Sequence, residues 1–375
     1  MDDVYDKVYI GSGPINVIDA YLHSERGDKV ALIDAGGQIG GAWVAIPVGE
    51  YGNLEIGCHI WSYNKKVYRF LTSFLDLDMV NMRPQPYILK GNRKMIYDHK
   101  SLYLTPKYIL KQVFYGDFKA AGNFLLRRHP AARMPIIPRA YRYPKGGARE
   151  FQDKLKSLIG DSKVTVKLNT KAVELNYTDD NWEIIDKDGI ILRSKNVVLT
   201  ATSNIERITY DNKLLELNHS YITYSHFHLI VSGDLLKPIS YIRVLNNSHI
   251  HRISDITNQL SQSRKNETVL LVGVFDKTIS EWGSDEQIAE KILAFLVEKG
   301  YLAKSNELVN FQKNRFPTAY INGQQHQLIN NLDPSIELIS TTDLVYGFYT
   351  QLKKWKSKNL LDQNSKKDIS PAFGQ

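Results

Sequence analysis

The stretch from Lys7 to Trp43, KVYIGSGPINVIDAYLHSERGDKVALIDAGGQIGGAW, decides how the rest of the chain is read. Val8, Tyr9 and Ile10 are β-branched or aromatic and run into Gly11-Ser12-Gly13, after which Ile15, Ile18 and Leu22 recur at helical spacing. That order spells strand, tight turn, helix. A second apolar run, Val30 to Ile33, ends on Asp34, at the distance from Gly11 where a dinucleotide fold sets an acid on a ribose hydroxyl. Gly11 allows the turn, Gly13 lets backbone approach a pyrophosphate with no Cβ in the way, and the helix start offers unpaired N–H groups and the positive end of a dipole. The third glycine of the usual pattern is replaced by Asn16, so either the helix sits farther from the strand or the Asn16 amide contacts the ligand. Gly36-Gly37-Gln38-Ile39-Gly40-Gly41 then offers a second loop able to fold back over a diphosphate; the bland alternative is a flexible loop after an ordinary strand–helix–strand unit.

The order GxG, acid, GGxxGG resembles the amine oxidase and protoporphyrinogen oxidase group of FAD proteins, in which the second glycine loop separates FAD binders from plain NAD binders. Gly57-Cys58-His59-Ile60-Trp61-Ser62-Tyr63-Asn64, followed by Val67, Tyr68 and Leu71, is similar to the segment of UDP-galactopyranose mutases that lies against the flavin ring. Tyr143-Pro144-Lys145-Gly146-Gly147-Ala148 is similar to the turn that introduces a helix, a strand and an adenine-side valine in the oxidase group, here Val173. The resemblance implies an α/β fold: an FAD-binding Rossmann-type parallel sheet of the GR2-like kind with an interleaved mixed-sheet α+β substrate domain. It implies noncovalent FAD, since no His or Cys lies in a recognised attachment motif. The cofactor contacts it implies are Gly11, Gly13, Pro14, Asn16, Asp34, Ala35, Gly36, Gly40, Gly41, Ala42, Trp43, Val173 and Ala201. Near the end of the chain, Thr342 and Asp343 stand where relatives carry Gly-Asp or Gly-Arg, a departure that Asp343 compensates or that weakens flavin retention.

Length and composition bound these readings. The chain has 375 residues, 43% of them hydrophobic, enough for two interleaved domains. Its one cysteine, Cys58, excludes a disulfide framework and the paired cysteines of a disulfide reductase; it reads as a small apolar residue in a reducing cytoplasm. An acidic amino end and the lack of a long apolar run lead to the expectation of a soluble, cytoplasmic protein with no transmembrane segment. The net charge of +8 is spread along the chain, and no aromatic-plus-basic module points to nucleic acid. Two stretches concentrate basic residues: the Pro-rich segment from Arg127 to Lys145, and a polar tail over 356–375. The tail is a solvated end or a peripheral contact for an anionic membrane surface.

Taken in order, residues 1–80, 143–204 and 315–355 are assigned to a discontinuous FAD-binding domain, and 81–142 with 205–314 to the substrate domain. Gly91-Asn92 reads as a hairpin turn, Leu102 to Phe124 as mostly helical, and Val164–Leu168 and Asn196–Thr200 as strands of the central sheet. Phe316 to Tyr320 resembles the strand that returns relatives to the FAD domain. Ser284 to Lys299 is an amphipathic helix capped by Ser284 and stopped at Gly300. VLLVGV, 269–274, has a single glycine, so a second nucleotide fold for NAD(P)H is not expected. His226 and His228 share a strand face without a third ligand, which argues against a metal.

Two residues are candidates for catalysis. His59, by resemblance, lies beside the isoalloxazine ring and steers its charge, or is a structural histidine. Arg252, within the segment His249 to Asp255 that is similar to a strand of both groups, reaches the substrate or the flavin side of the cavity, or pairs with Asp255 on a strand edge. Arg133, Arg139 and Arg142 converge on an anionic substrate or face water. The expected function is an FAD-dependent oxidoreductase acting on a small, anionic metabolite. The alternatives are a redox-neutral flavin mutase acting on a nucleotide sugar, and a flavin-fold scaffold without catalysis. Oligomeric state does not follow from the sequence.

Overall fold

The computed structural model describes residues 4–57, 59–62, 64–96, 110, 113–114, 118, 141–200, 202–260, 266–321, 323–339 and 344–361. Cys58, Arg133, Arg139, Ala201, Thr342, Asp343 and 362–375 of the tail lie outside these, as does nearly all of the helix expected from Leu102 to Phe124.

At the centre is a five-stranded parallel sheet in the order Thr165–Lys167, Val30–Ile33, Lys7–Ile10, Val197–Thr200, Ile336–Ile339. The strands VALI and VVLT are buried along their whole length, which explains why they read as unbroken apolar runs. On one face the sheet is covered by helices Pro14–Glu25, Gly147–Gly160 and Leu344–Ser357, through Ile15, Ile18, Leu22, Phe151, Phe348 and Trp355. The other face packs on a six-stranded mixed sheet through Ile10, Ile33, Trp182, Ile184 and Leu199. From Lys7–Ile10 the chain first builds outward on one side and later returns on the other. The crevice at the carboxyl end of that strand is therefore a topological switch point, where open α/β sheets bind ligands.

A seven-stranded sheet forms the second layer system, with strands in the order Leu308–Ile321, His219–Ser232, Glu267–Phe275, Ile250–Asp255, Tyr241–Leu245, Tyr87–Lys90, Arg93–Ile96. The last two form the expected hairpin, with Gly91 at φ +59°. Alternation along the strands separates its faces. Phe227, Leu229, Val231, Val272 and Val274 meet helix Asp285–Glu298, which Ser284 caps by a reciprocal box with Gln287 and which ends before Gly300 at φ +68°. Ile230, Val269 and Leu271, one residue out of phase, meet Val48, Tyr51 and Leu54 of the hairpin Ala45–Pro47 with Asn53–Glu55. That hairpin joins the second sheet to the glycine loops. Phe316–Tyr320 does not leave this sheet: it lies inside Leu308–Ile321, paired along its length with His219–Ser232, so the crossing back to the central sheet begins after Ile321.

Candidate functional site

Four strand ends converge at the switch point. Gly11 follows the first strand at φ +104°, and its N–H donates to Ile33 O at 2.8 Å. A Cβ on Gly11 would lie 2.7 Å from Thr200 Oγ1, so the turn needs glycine for its conformation and for the approach of the neighbouring strand. Gly13 differs: its φ is −59°, and a Cβ there would meet nothing within 4 Å. The space before the helix start is open. Asp34 ties the turns together, its Oδ2 accepting from Ser12 N–H at 2.6 Å and its Oδ1 from Gly36 N–H at 2.7 Å.

The second glycine loop folds back onto the first. Gly40 N–H donates to Ser12 O at 3.0 Å, and a Cβ on Gly41 would stand 3.2 Å from Gly13 Cα. Gln152, buried in helix Gly147–Gly160, staples the loop: its Nε2 donates to Gln38 Oε1 and Ile39 O, both at 2.9 Å, and its Oε1 accepts from Ala45 N–H. The Asn16 amide nitrogen turns back onto the first glycine turn. Asn16 Nδ2 donates to Gly11 O at 2.9 Å, while its Oδ1 is buried without a hydrogen-bond partner among the described residues. Pro14 occupies the first helical turn, where its missing N–H costs nothing.

The Trp43 ring is buried in an aromatic cluster with Trp61, Tyr143 and Phe151, so only its backbone borders the loop, donating to Gly40 O. Ala35 and Ala42 are exposed on the glycine loop. Val173 spends its N–H on Ile185 O and its carbonyl on Glu206 N–H. The preceding Ala172 is 3% exposed, and among the described residues its N–H and C=O make no hydrogen bond. The uncommitted backbone in this segment is that of Ala172, next to Val173.

His59 stacks on Trp43 at 4.0 Å between ring centroids and donates from Nε2 to Ala42 O at 2.8 Å, which leaves Nδ1 as the acceptor. Burial, with the Arg252 charge nearby, lowers its pKa to about 4, so the imidazole is neutral at pH 7. Arg252 is on an interior strand of the seven-stranded sheet, not an edge, and Asp255 is engaged by Thr257 N–H and Oγ1 instead. Arg252 and His226 both register with Gly273. A Cβ on Gly273 would lie 2.8 Å from Arg252 Cγ and 3.4 Å from His226 Nε2, so this lone strand glycine is a notch that lets the arginine lie across the sheet. Arg252 Nε donates to His251 Nε2 at 3.1 Å, and burial with that charge lowers His251 to about 3. His228 is satisfied on both sides, by Glu55 O and Asn314 Nδ2. Among the described residues no group of three His, Cys, Asp or Glu could hold a metal. Arg142 lies in a three-stranded sheet with its guanidinium 4.2 Å above the Tyr68 ring.

Sequence reading missed Glu55, Gln152 and Gly273. Only Gly273 left a local signal, an isolated glycine in an apolar strand, which marks close approach of another group. Glu55 is 2% exposed, and its Oε2 accepts from Tyr143 O–H at 2.7 Å and Ala148 N–H at 3.0 Å.

This architecture is an amine oxidase-like fold, shared with solved structures across most of the chain. They include a protein assigned as a protoporphyrinogen oxidase from Exiguobacterium, with a TM-score of 0.60 and 15% identity over 96% of this chain and 100% of that one. A reduced UDP-galactopyranose mutase superposes with a TM-score of 0.62 at 12% identity, covering 89% of this chain and 88% of its own. A putrescine oxidase bound to putrescine gives 0.58 at 14% identity, over 91% and 94%. At these identities the fold is what is shared. No protein-family model and no curated protein matches the sequence.

Proposed function

We propose that the chain binds FAD noncovalently between its two glycine loops and is an FAD-dependent oxidoreductase acting on a small, anionic metabolite. The observation that carries this reading is the packing of Gly41 against Gly13 with open space where a Gly13 side chain would stand. A cradle of that shape, at a helix start and a switch point, suits a diphosphate. The buried Asn16 Oδ1 and the backbone of Ala172, both without a hydrogen-bond partner among the described residues, are further groups that a large polar cofactor would satisfy.

Bound FAD supplies a two-electron acceptor, chemistry that no side chain here offers. The chain's own residues orient and protect. Asp34 holds both glycine turns in place, with lone pairs left for a ribose hydroxyl. Neutral His59 adds no positive charge to the wall it forms, which keeps that wall poorly hydrated. Arg252, held by the Gly273 notch and His251, is the cation that would fix an anionic substrate group. Arg133, Arg139 and Arg142 are proposed to add to that field, and Thr342 and Asp343 to close the cradle at the last helix start. The division into a cofactor domain (1–80, 143–204 and 315–355) and a substrate domain is supported by the strands that 1–80, 143–204 and Ile336–Ile339 give the central and six-stranded sheets; Arg207–Tyr210 and Lys213–Glu216 join the six-stranded sheet as well, and the strand ending at Ile321 stays in the seven-stranded one.

Purification tests the reading directly. A yellow protein that releases its flavin on acid precipitation and bleaches anaerobically with a small carboxylate-bearing reductant supports it. Bleaching by dithionite, with turnover only of a nucleotide sugar, transfers support to the mutase alternative. A colourless protein that takes up no FAD overturns both.

A further inference from the structure

Behind the second glycine loop, aromatic side chains from three segments form a connected row. His59 stacks on Trp43 at 4.0 Å between ring centroids, Trp43 lies 5.0 Å from Trp61 and 6.1 Å from Tyr143, and Trp61 lies 6.4 Å from Tyr143. Trp43 and Trp61 are buried, Tyr143 is half-buried, and its O–H donates to Glu55 Oε2 at 2.7 Å. We propose that Tyr143 and Glu55 form a one-electron redox site at the end of this row, which takes an oxidising equivalent out of the aromatic core when an organic radical forms in the adjoining crevice.

The step balances on named atoms. The organic radical takes one electron from Trp43 or Trp61 and becomes a closed-shell anion, and the oxidised indole takes one electron from Tyr143. The Tyr143 O–H bond breaks and its proton bonds to Glu55 Oε2. A neutral phenoxyl radical is left beside a neutral carboxylic acid.

The placing of proton acceptors sends the oxidation to Tyr143. A phenol holds its electron firmly until its proton can leave, and an indole without a base stays a cation when oxidised. Trp61 Nε1 is buried with no hydrogen-bond partner among the described residues, so oxidised Trp61 is a charge held out of water. Tyr143 has its base in place. Glu55 is 2% exposed with no ion-pair partner among the described residues, and burial raises its pKa, so it takes a proton more readily than a surface carboxylate does. Moving electron and proton together turns a buried cation and a buried anion into two neutral groups.

The carboxylate is fixed for this task. Glu55 N–H donates to Gln259 Oε1 at 3.2 Å, its carbonyl accepts from His228 Nε2 at 2.8 Å, and Oε2 also accepts from Ala148 N–H at 3.0 Å. Phe151 stands edge-on to both tryptophans at 5.5 and 5.0 Å and packs the row with a ring far harder to oxidise. Tyr143 and Glu55 also wall a cavity of about 260 Å³, where an enediol reductant such as ascorbate returns the electron while Glu55 returns the proton.

The test supplies the oxidant from solution, so it needs no bound cofactor. Full-length protein as purified, with 3-fluorotyrosine introduced at position 143, is flashed with tris(bipyridine)ruthenium(II) and a cobalt(III) acceptor and frozen for electron paramagnetic resonance. A tyrosyl radical split by fluorine is expected, since only residue 143 carries that nucleus, and ascorbate should erase it. Glu55→Gln keeps an oxygen for the Tyr143 hydroxyl but is no base, and should slow the signal's formation on the order of a hundredfold, the size of a positioned proton acceptor. Tyr143→Phe should strand the oxidation on the row, read as a tryptophan cation radical in place of the tyrosyl one. Formation should also slow in D2O, a reading that needs no change in the buried core. No fluorine-split signal, a Glu55→Gln rate within about twofold of the parent, a Tyr143→Phe protein without a tryptophan radical, or a rate unchanged in D2O overturns the proposal. A colourless protein that gives the signal keeps this site and removes the flavin reading, and a yellow one without it does the reverse.

Discussion

The Asn16 amide donates to the Gly11 carbonyl at 2.9 Å, so the residue that replaces a glycine at the helix start acts as a strap on the turn it follows. Asn16→Ala should leave that buried carbonyl unpartnered and cost about 2 kcal/mol of unfolding free energy. Urea denaturation reads the loss. Flavin affinity, followed by fluorescence quenching, should weaken with it.

The two glycines of the first turn should respond differently. Gly13→Ala meets nothing and has an ordinary φ, so the melting temperature of the flavin-free protein should stay near the parent value while FAD uptake falls by tenfold or more, on the order of a lost favourable contact. Gly11→Ala adds a Cβ at 2.7 Å from Thr200 Oγ1 with φ at +104°, and should destabilise the apoprotein by about 1–3 kcal/mol. Combining it with Thr200→Ala should restore only part, because the backbone strain remains.

Gln152→Ala removes three hydrogen bonds from the helix, two to the second glycine loop at Gln38 and Ile39 and one to Ala45 just beyond it. Each is worth about 1 kcal/mol, so a loss of about 2–3 kcal/mol is expected together with faster hydrogen exchange at residues 38–45. Unchanged exchange there would show that the loop is held by other means.

Gly273→Ala should act on substrate handling more than on folding. Its Cβ would press on Arg252 Cγ at 2.8 Å and move the guanidinium. Expected is a rise in KM for an anionic substrate of about tenfold with a smaller change in kcat, the pattern of a lost binding contact. Arg252→Lys, which lacks the fork, should behave alike.

The buried histidines set an acid limit. His228 and His59 are lowered to about 4, chiefly by burial, while the unfolded chain takes up these protons near the ordinary histidine value of 6.5. Their stability contribution is whole above that value and is lost as pH falls from it towards 4; for His228 the depression corresponds to about 3 kcal/mol. Glu55, raised by burial, works in the opposite sense at the acid end of the window. Denaturant midpoints at pH 7.5, 6 and 5 should fall with pH, and His228→Gln, which keeps a donor for Glu55 O, should flatten the fall.

The strand–turn–helix at Lys7, the parallel strands VALI and VVLT, the Gly91 hairpin and the capped helix at Ser284 were legible because each is specified by residues a few positions apart: the side-chain period, the cap, the glycine at positive φ. The cradle was legible for the same reason, since both glycine loops and Asp34 lie within one unit of the chain. Other groups needed the folded chain. Glu55 finds Tyr143 88 residues away and Gln259 204 residues away, and Gln152 meets Ala45 across 107. Sheet register decided that Arg252 lies beside Gly273 and His226, and that Ala172, not Val173, keeps its backbone unspent. Local pattern therefore determined the elements and the pairing of the two glycine loops, while the contacts around them came from distant segments, whose partners no short window of sequence contains.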